Sequence, residues 1–349
     1  MKVIRQLYSS QRMRRKAPLN LKKGDEAYFG GKSFEYTLPE SSFIYVGKAM
    51  VTSQGIIMRH LLPLKRFIVC YGIDFKKYYF RYIGHVLLNY KKQRLHDDKK
   101  YVIIFDNYSG PKGFYHWICD GLTRLVEIKD ELKAYTVLLP AYFKHERLYS
   151  DTLKLFDIAH EYVIDEKTCV MVNHLYAADF IAPTGNFNKQ NFHKLQRLVW
   201  NTYKLPEGEA SEKIYISRGK ASRRFVINEN EVCDLLKQYN FRIVYLEDHP
   251  FEEQVRLVTR AKYLVSIHGA ALTHVFFMQP GSHVLEFKRM NDASNYVYFS
   301  LADVAGVHYY YQFCEVTEKS RHANNFDLAV DISDLQTNIE LMLSKNELL

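Results

Sequence analysis

Short apolar runs alternate with longer amphipathic ones along most of this chain, and the alternation predicts an α/β protein. In the first half, strand patterns fall at 43–46, 67–71, 101–105, 136–139 and 162–164, with helical periodicity over 114–132 and 142–159. Alternation of this kind implies βαβ units around a largely parallel sheet. Another helix is predicted over 189–203, after which Leu205-Pro206-Glu207-Gly208 breaks the pattern. Beyond the break, strands are predicted at 213–217, 241–246, 263–267, 283–287 and 307–314. The intervening helices are 229–239, 251–261, 272–278 and 296–305, and a last amphipathic helix covers 331–343. The expected organisation is an irregular basic arm (1–35), two doubly wound domains facing across a cleft (36–190 and 191–330), and a closing helix within 331–349. In such sheets ligands bind beyond the carboxyl ends of the strands, so the residues following each strand deserve the closest reading.

Four constellations sit at such places. His268-Gly269-Ala270-Ala271-Leu272-Thr273 joins the apolar run 263–267 to a short apolar helix that stops at Pro280-Gly281. A strand breaking at glycine into a helix presents unpaired N–H groups, a seat for a phosphate. On this reading the N–H groups of Leu272 and Thr273 face the anion, and Gly269 allows an unusual backbone or a close approach. The second constellation, Ser217-Arg218-Gly219-Lys220 with Arg223 and Arg224, places four cations in one loop, and guanidinium forks match phosphate oxygens. The third, His116, Asp120 and Arg124, recurs at i, i+4 and i+8, so a carboxylate can orient an imidazole that acts as a base. The fourth is Glu286 at a strand end, where nucleotide folds often bind ribose. Each has a plainer alternative: a simple strand–helix turn, a solvated basic loop, a surface His–Asp pair, a surface glutamate.

Composition narrows the class. An apolar fraction of 47% with 25% charged residues belongs to a globular protein and not to a disordered one. The formal charge is +9, with clusters at Arg12, Arg14, Arg15, Lys16, Lys22 and Lys23 and at Lys91, Lys92, Arg94, Lys99 and Lys100. Such clusters attract anionic membranes or polyanions, though solvated faces look the same. The five cysteines are widely spaced and form no C-x-x-C pair, which argues against a disulfide framework or a zinc site and for a reducing compartment. With no secretory signal and no long apolar stretch, the expectation is a cytoplasmic protein, in contact at most with the inner face of a membrane. There is no G-x-G-x-x-G, no P-loop, no H-E-x-x-H and no D-x-D pair. If a diphosphate binds, its charge is then met by Arg, Lys and a helix terminus, with neither cofactor nor metal expected.

Three blocks resemble glycosyltransferase family 61. Gly113 through Leu125 is similar to the family's His-Trp-x-x-Asp helix, with Thr123 where a proline is usual. Tyr215 through Arg224, with Asn228-Glu229 beyond, resembles its basic loop. His268 through Pro280-Gly281, with Glu286, resembles its signature block. The resemblance spans about residues 100–315 and implies a GT-B architecture with an inverting, metal-independent mechanism. It implies that a nucleotide sugar, UDP-linked in the first expectation, is held by Arg218, Lys220, Arg223, Arg224, His268, Gly269, Ala270, Leu272, Thr273 and Glu286. His116 is then the favoured base with Asp120 as orienter, or the reverse. The expected acceptor is a glycan or lipid-linked glycan, as in bacterial capsule or lipopolysaccharide synthesis, with no nucleic-acid partner. A pyruvyltransferase-like enzyme and a basic polyanion-binding module are the alternatives.

Overall fold

The computed structural model describes residues 1–344 apart from 70–74, 96–97, 110–112, 207, 209, 222, 291, 293–294 and 318–325. The chain forms two compact units, one of residues 1–11 and 37–195, the other of 12–36 and 196–349. The backbone therefore crosses between units three times.

The first unit is built on strands β1 (Lys2–Tyr8), β4 (Ser41–Thr52), β5 (Ile57–Arg59), β6 (Leu62–Pro63), β7 (Lys91–Arg94), β8 (Lys100–Ile103), β9 (Thr136–Pro140), β10 (His160–Ile164) and β11 (Thr168–Ala178). The short pair β2 (Gln11–Arg14) and β3 (Glu35–Leu38) forms a separate ribbon. The main sheet runs β10-β9-β8-β11-β4-β5-β6, parallel from β10 to β11 and antiparallel from β11 onward. The predicted parallel sheet is thus half of a mixed one. The long strand β11 escapes the sequence reading because its buried positions do not alternate cleanly. The strand predicted at 67–71 is also absent over its described part. There a 3-10 turn, Lys65–Phe67, leads to Val69, whose N–H and C=O are both bonded by the Asn107 amide at 3.0 Å. A side chain substitutes for the neighbouring strand. Residues 70–71 of that prediction lie outside the described residues.

In the second unit β12 (Glu212–Ile216), β13 (Arg242–Val244), β14 (Ala261–Ile267), β15 (His283–Arg289), β16 (His308–Val316) and β17 (Leu328–Ala329) follow the order β13-β12-β14-β15-β16-β17. The first five are parallel and only β17 is antiparallel. Ile214, Tyr215, Ile216, Leu264, Val265 and Ile267 are all fully buried. Continuous apolar runs of this kind mark strands covered on both faces.

The expected irregular arm is ordered. β1 pairs with β4, and Arg5 and Tyr8 bond Glu131 and Glu127 at 2.7 Å. Residues 12–36 pack on the second unit's sheet: the Leu19 N–H donates to the Tyr309 carbonyl at 2.9 Å, and Phe29 is fully buried against Phe299, Tyr309 and Tyr311. Arg15 is buried, its guanidinium 4.0 Å above the Tyr36 ring. Apolar residues set among the charges, chiefly Leu19, Phe29 and Phe34, tie the segment down.

Candidate active site

In the second unit the chain leaves β12 for β13 on one side and comes back to β14 on the other. Strand order reverses there, and in open α/β sheets the loops leaving the strands at a reversal bind ligands. Arg218 follows β12, Gly269 follows β14, and the two touch. A Cβ added to Gly269 would stand 3.0 Å from Arg218 Nη1 and 3.3 Å from Cζ. Gly269 itself has φ 163°, an extended backbone open to any residue. Space for the guanidinium, not an unusual conformation, selects glycine here.

The helix after Gly269 is a 3-10 helix, Ala270–Phe277. Leu272 N–H donates to the Gly269 carbonyl at 2.9 Å, while Leu272 and Thr273 are fully buried. The expected phosphate donors are therefore occupied or inaccessible, because the helix begins two residues earlier than its apolar pattern suggests. The open donors are the N–H groups of Gly269, Ala270 and Ala271, which have no hydrogen-bond partner among the described residues. The Thr273 hydroxyl is buried without a partner among those residues.

Three guanidinium groups belong to the facing loop. Arg218 Nη2 donates to the Arg223 carbonyl at 3.0 Å, and its buried Nε has no partner among the described residues. Arg224 holds φ 63°, a costly conformation for a side chain of its size. The following residues enforce it: Phe225 N–H donates to the Asp327 carboxylate at 2.9 Å, and Leu328 N–H to the Phe225 carbonyl at 2.9 Å. Burial lowers the pKa of Arg218, and Arg223 lowers it further, despite Tyr298 and Glu247. Burial likewise lowers that of Arg224, reinforced by Arg223 and Arg218. Crowded, half-buried cations of this kind are relieved by an anion. Lys220 departs from the expectation: it is exposed and holds both oxygens of Asp248, at 2.7 and 2.6 Å.

His268 and Glu286 also depart from their expected roles. Glu286 is 1% exposed and accepts from His268 Nδ1 and, at 2.6 Å, from the Tyr309 hydroxyl, with Lys288 Nζ 4.0 Å away. Burial favours the neutral acid, yet Lys288, His268 and Tyr309 together lower its pKa. Burial lowers that of His268 despite Glu286. Its Nε2 accepts from Asn295 Nδ2 at 2.8 Å, which makes the proton on Nδ1 the one shared with Glu286. Glu286 has both of its oxygens engaged inside the protein. It is the internal brace of the β14 turn. Asn295, Lys288 and Tyr309 escape the sequence reading because they are far apart in the chain and form no motif.

In the first unit, residues 114–127 form one helix with a π turn, Trp117–Leu122, between α segments Phe114–His116 and Thr123–Glu127. Trp117 is fully buried, its Nε1 bonded to Thr152 at 2.8 Å, and a Cβ on Gly121 would meet its ring at 2.8 Å. Turns of this type recur at functional sites. His116 Nδ1 lies 2.8 Å from Asp120 Oδ2, which also accepts from Thr184 Oγ1 at 2.9 Å. Asp120 is buried, whereas the His116 side chain is 21% exposed and its Nε2 has no partner among the described residues. Burial opposes charge on His116, but the bond to Asp120 and that carboxylate's charge raise its pKa. Burial also raises that of Asp120. Arg124 bonds the Asp120 carbonyl at 2.9 Å and pairs with buried Asp106 at 2.6 Å, fixing the turn from below. Thr184, which follows Pro183 in a loop, carries no sequence signal. It also lines a cavity of about 480 Å³, together with Glu40, Arg66, Asp179, Phe180 and Pro183.

Residues 114–285 match the family model Glycosyltransferase 61. This region belongs to glycosyltransferase family 61. It holds His116, Asp120, the Arg218–Arg224 loop and the Gly269 turn, and ends one residue before Glu286. Among curated relatives, the chain is 26% identical over 223 residues to the EGF domain-specific O-linked N-acetylglucosamine transferase of Bos taurus, covering 56% of this chain and 42% of that one. It is 28% identical over 131 residues to the Drosophila melanogaster protein of the same name, covering 36% and 25%. To the Bos taurus protein O-linked-mannose beta-1,4-N-acetylglucosaminyltransferase 2 it is 34% identical over 110 residues, 30% and 18% of the two chains. The match thus spans less than half the length of these relatives. They are animal enzymes and lend no support to the capsule or lipopolysaccharide setting.

Proposed function

We propose that this family 61 chain transfers a sugar from a nucleoside-diphosphate donor to a hydroxyl, with inversion at the anomeric carbon and GT-B-type division of labour. The observation that carries the proposal is the contact of Arg218 with Gly269 where strand order reverses, beside three open N–H groups and two further guanidiniums. That loop pair neutralises the departing diphosphate, as fixed donors aimed at developing charge. N-acetylglucosamine on UDP is the donor to try first, since the named relatives transfer that sugar by their titles.

In the first unit His116 is the base. Asp120 accepts a hydrogen bond from its Nδ1–H, which leaves the Nε2 lone pair to take the acceptor hydroxyl's proton. The acceptor is a glycan hydroxyl, and the cavity reached through Thr184 suits a polyol: Glu40 offers a carboxylate, Phe180 an apolar ring, and the Arg66–Asp179 ion pair forms part of the polar wall. A glycan on a polypeptide and a lipid-linked glycan share this chemistry and are separated by offering both.

The test is release of UDP from UDP-N-acetylglucosamine, with and without EDTA, beside a thermal-shift series of UDP, GDP, CMP and dTDP sugars. Stabilisation by one donor, lost in Arg218→Ala, supports the proposal through mass action. A wild-type protein indifferent to every donor overturns it.

A further inference from the structure

The helix Phe75–Asn89 turns Tyr82 and Val86 into a small core of the first unit, where Tyr90 just beyond its end joins them beside Met50, Ile56, Met58, Ile68 and Cys169. Its opposite face is not polar. Phe80 is 72% exposed and Leu88 86%, eight residues apart and so on one face, with Leu87 at 41% beside them. Lys77 and Arg81 flank them on exposed positions, and exposed Lys91, Lys92 and Arg94 follow in β7. Between Phe75 and Arg94 the sequence has six Lys or Arg and no Asp or Glu. No helix among the described residues is long and apolar enough to cross a membrane.

From this surface we infer that the outer face of Phe75–Asn89 docks on an anionic lipid bilayer. The rings and leucine tips enter the headgroup boundary while the cations face phosphates, as for an interfacial helix. Charge decides between occupants. A second copy would bring the same cations face to face in a two-fold contact, and residues 75–94 contain no acid to offset them. A negatively charged surface offsets those on the helix's outer face. The inference is independent of the transfer reaction. Of the basic cluster at 12–23, Arg15 is buried and Arg12 is paired with Glu35.

The test is co-sedimentation of the full chain with phosphatidylcholine vesicles containing or lacking 30% phosphatidylserine. Binding is expected only with the anionic lipid and falls as salt rises. Reversal of Lys77 and Arg81 to Glu is expected to weaken it by at least fivefold per site, and Phe80→Glu with Leu88→Glu to abolish it at unchanged Tm. In Phe80→Trp, indole emission should shift to the blue on anionic vesicles alone. Vesicle binding that survives Phe80→Glu with Leu88→Glu, an unshifted indole, or a wild type that binds neither vesicle overturns the inference. So does a dimer that those two substitutions dissolve.

Discussion

The two units each contain a histidine bonded through Nδ1 to a carboxylate, and the two pairs have opposite characters. His116 is partly exposed with Nε2 open, and against the pull of burial its pKa is raised by Asp120. His268 is buried, its pKa lowered by burial, with both ring nitrogens engaged by Glu286 and Asn295. A histidine beside a carboxylate thus keeps one ring nitrogen open in the first unit and forms a closed brace in the second. What separates them is access to the second nitrogen and the charge nearby: Lys288 already balances Glu286, so protonating His268 gains little.

Breaking the pairs should separate these roles. The largest effect is expected from His116→Ala, which should cut transfer by about 10²–10⁴-fold while leaving donor binding intact; single-turnover rates beside donor titration measure both. Glu286→Ala should do the converse, removing about 3–5 kcal/mol of stability by stranding Lys288, visible in denaturant unfolding. Gly269→Ala is a milder probe. Its methyl group displaces the Arg218 guanidinium and should lower kcat/KM on the order of 10- to 100-fold, with little change in Tm.

pH sharpens the contrast further. A base with a raised pKa loses activity as pH falls through that value. Asp120→Asn removes the cause, so the acid limb of the rate profile should move to lower pH. The last effect is structural. His283 in the second unit is pushed down to about 3 by burial, by the neighbouring His308 ring and by Lys262. It titrates at its ordinary value when unfolded, so stability is full above that value and is lost as pH falls below it. His283→Gln should flatten the decline in Tm over that range.

Much of this is legible in the chain. β12, β14, β15 and β16 fall where fully buried runs predict them, because strands covered on both faces have no alternation to blur. The contact of Arg218 with the His268-Gly269 turn follows from both loops leaving carboxyl ends of adjacent strands. What periodicity does not show is which polar groups are already satisfied. Lys220 reads like Arg218 until Asp248 is seen beside it, and Glu286 reads like a ribose ligand until Lys288 and Tyr309 close around it. The helix starts two residues before its predicted position because Ala270 and Ala271 carry no apolar signal of their own. Basic residues at 12–36 suggest a tail, although three well-placed apolar side chains outweigh their charge.

The threefold passage of the backbone between units has a practical outcome. A protease nick at 205–208 would leave residues 12–36, still joined to the first unit at 11–12 and 36–37, packed on the second. A fragment begun at residue 196 would lack Phe29 and Arg15, exposing the aromatic wall of Tyr309, Tyr311 and Phe299 to water. During synthesis residues 12–36 leave the ribosome long before that wall exists, so the second unit cannot close until Tyr309 and Tyr311 have been made.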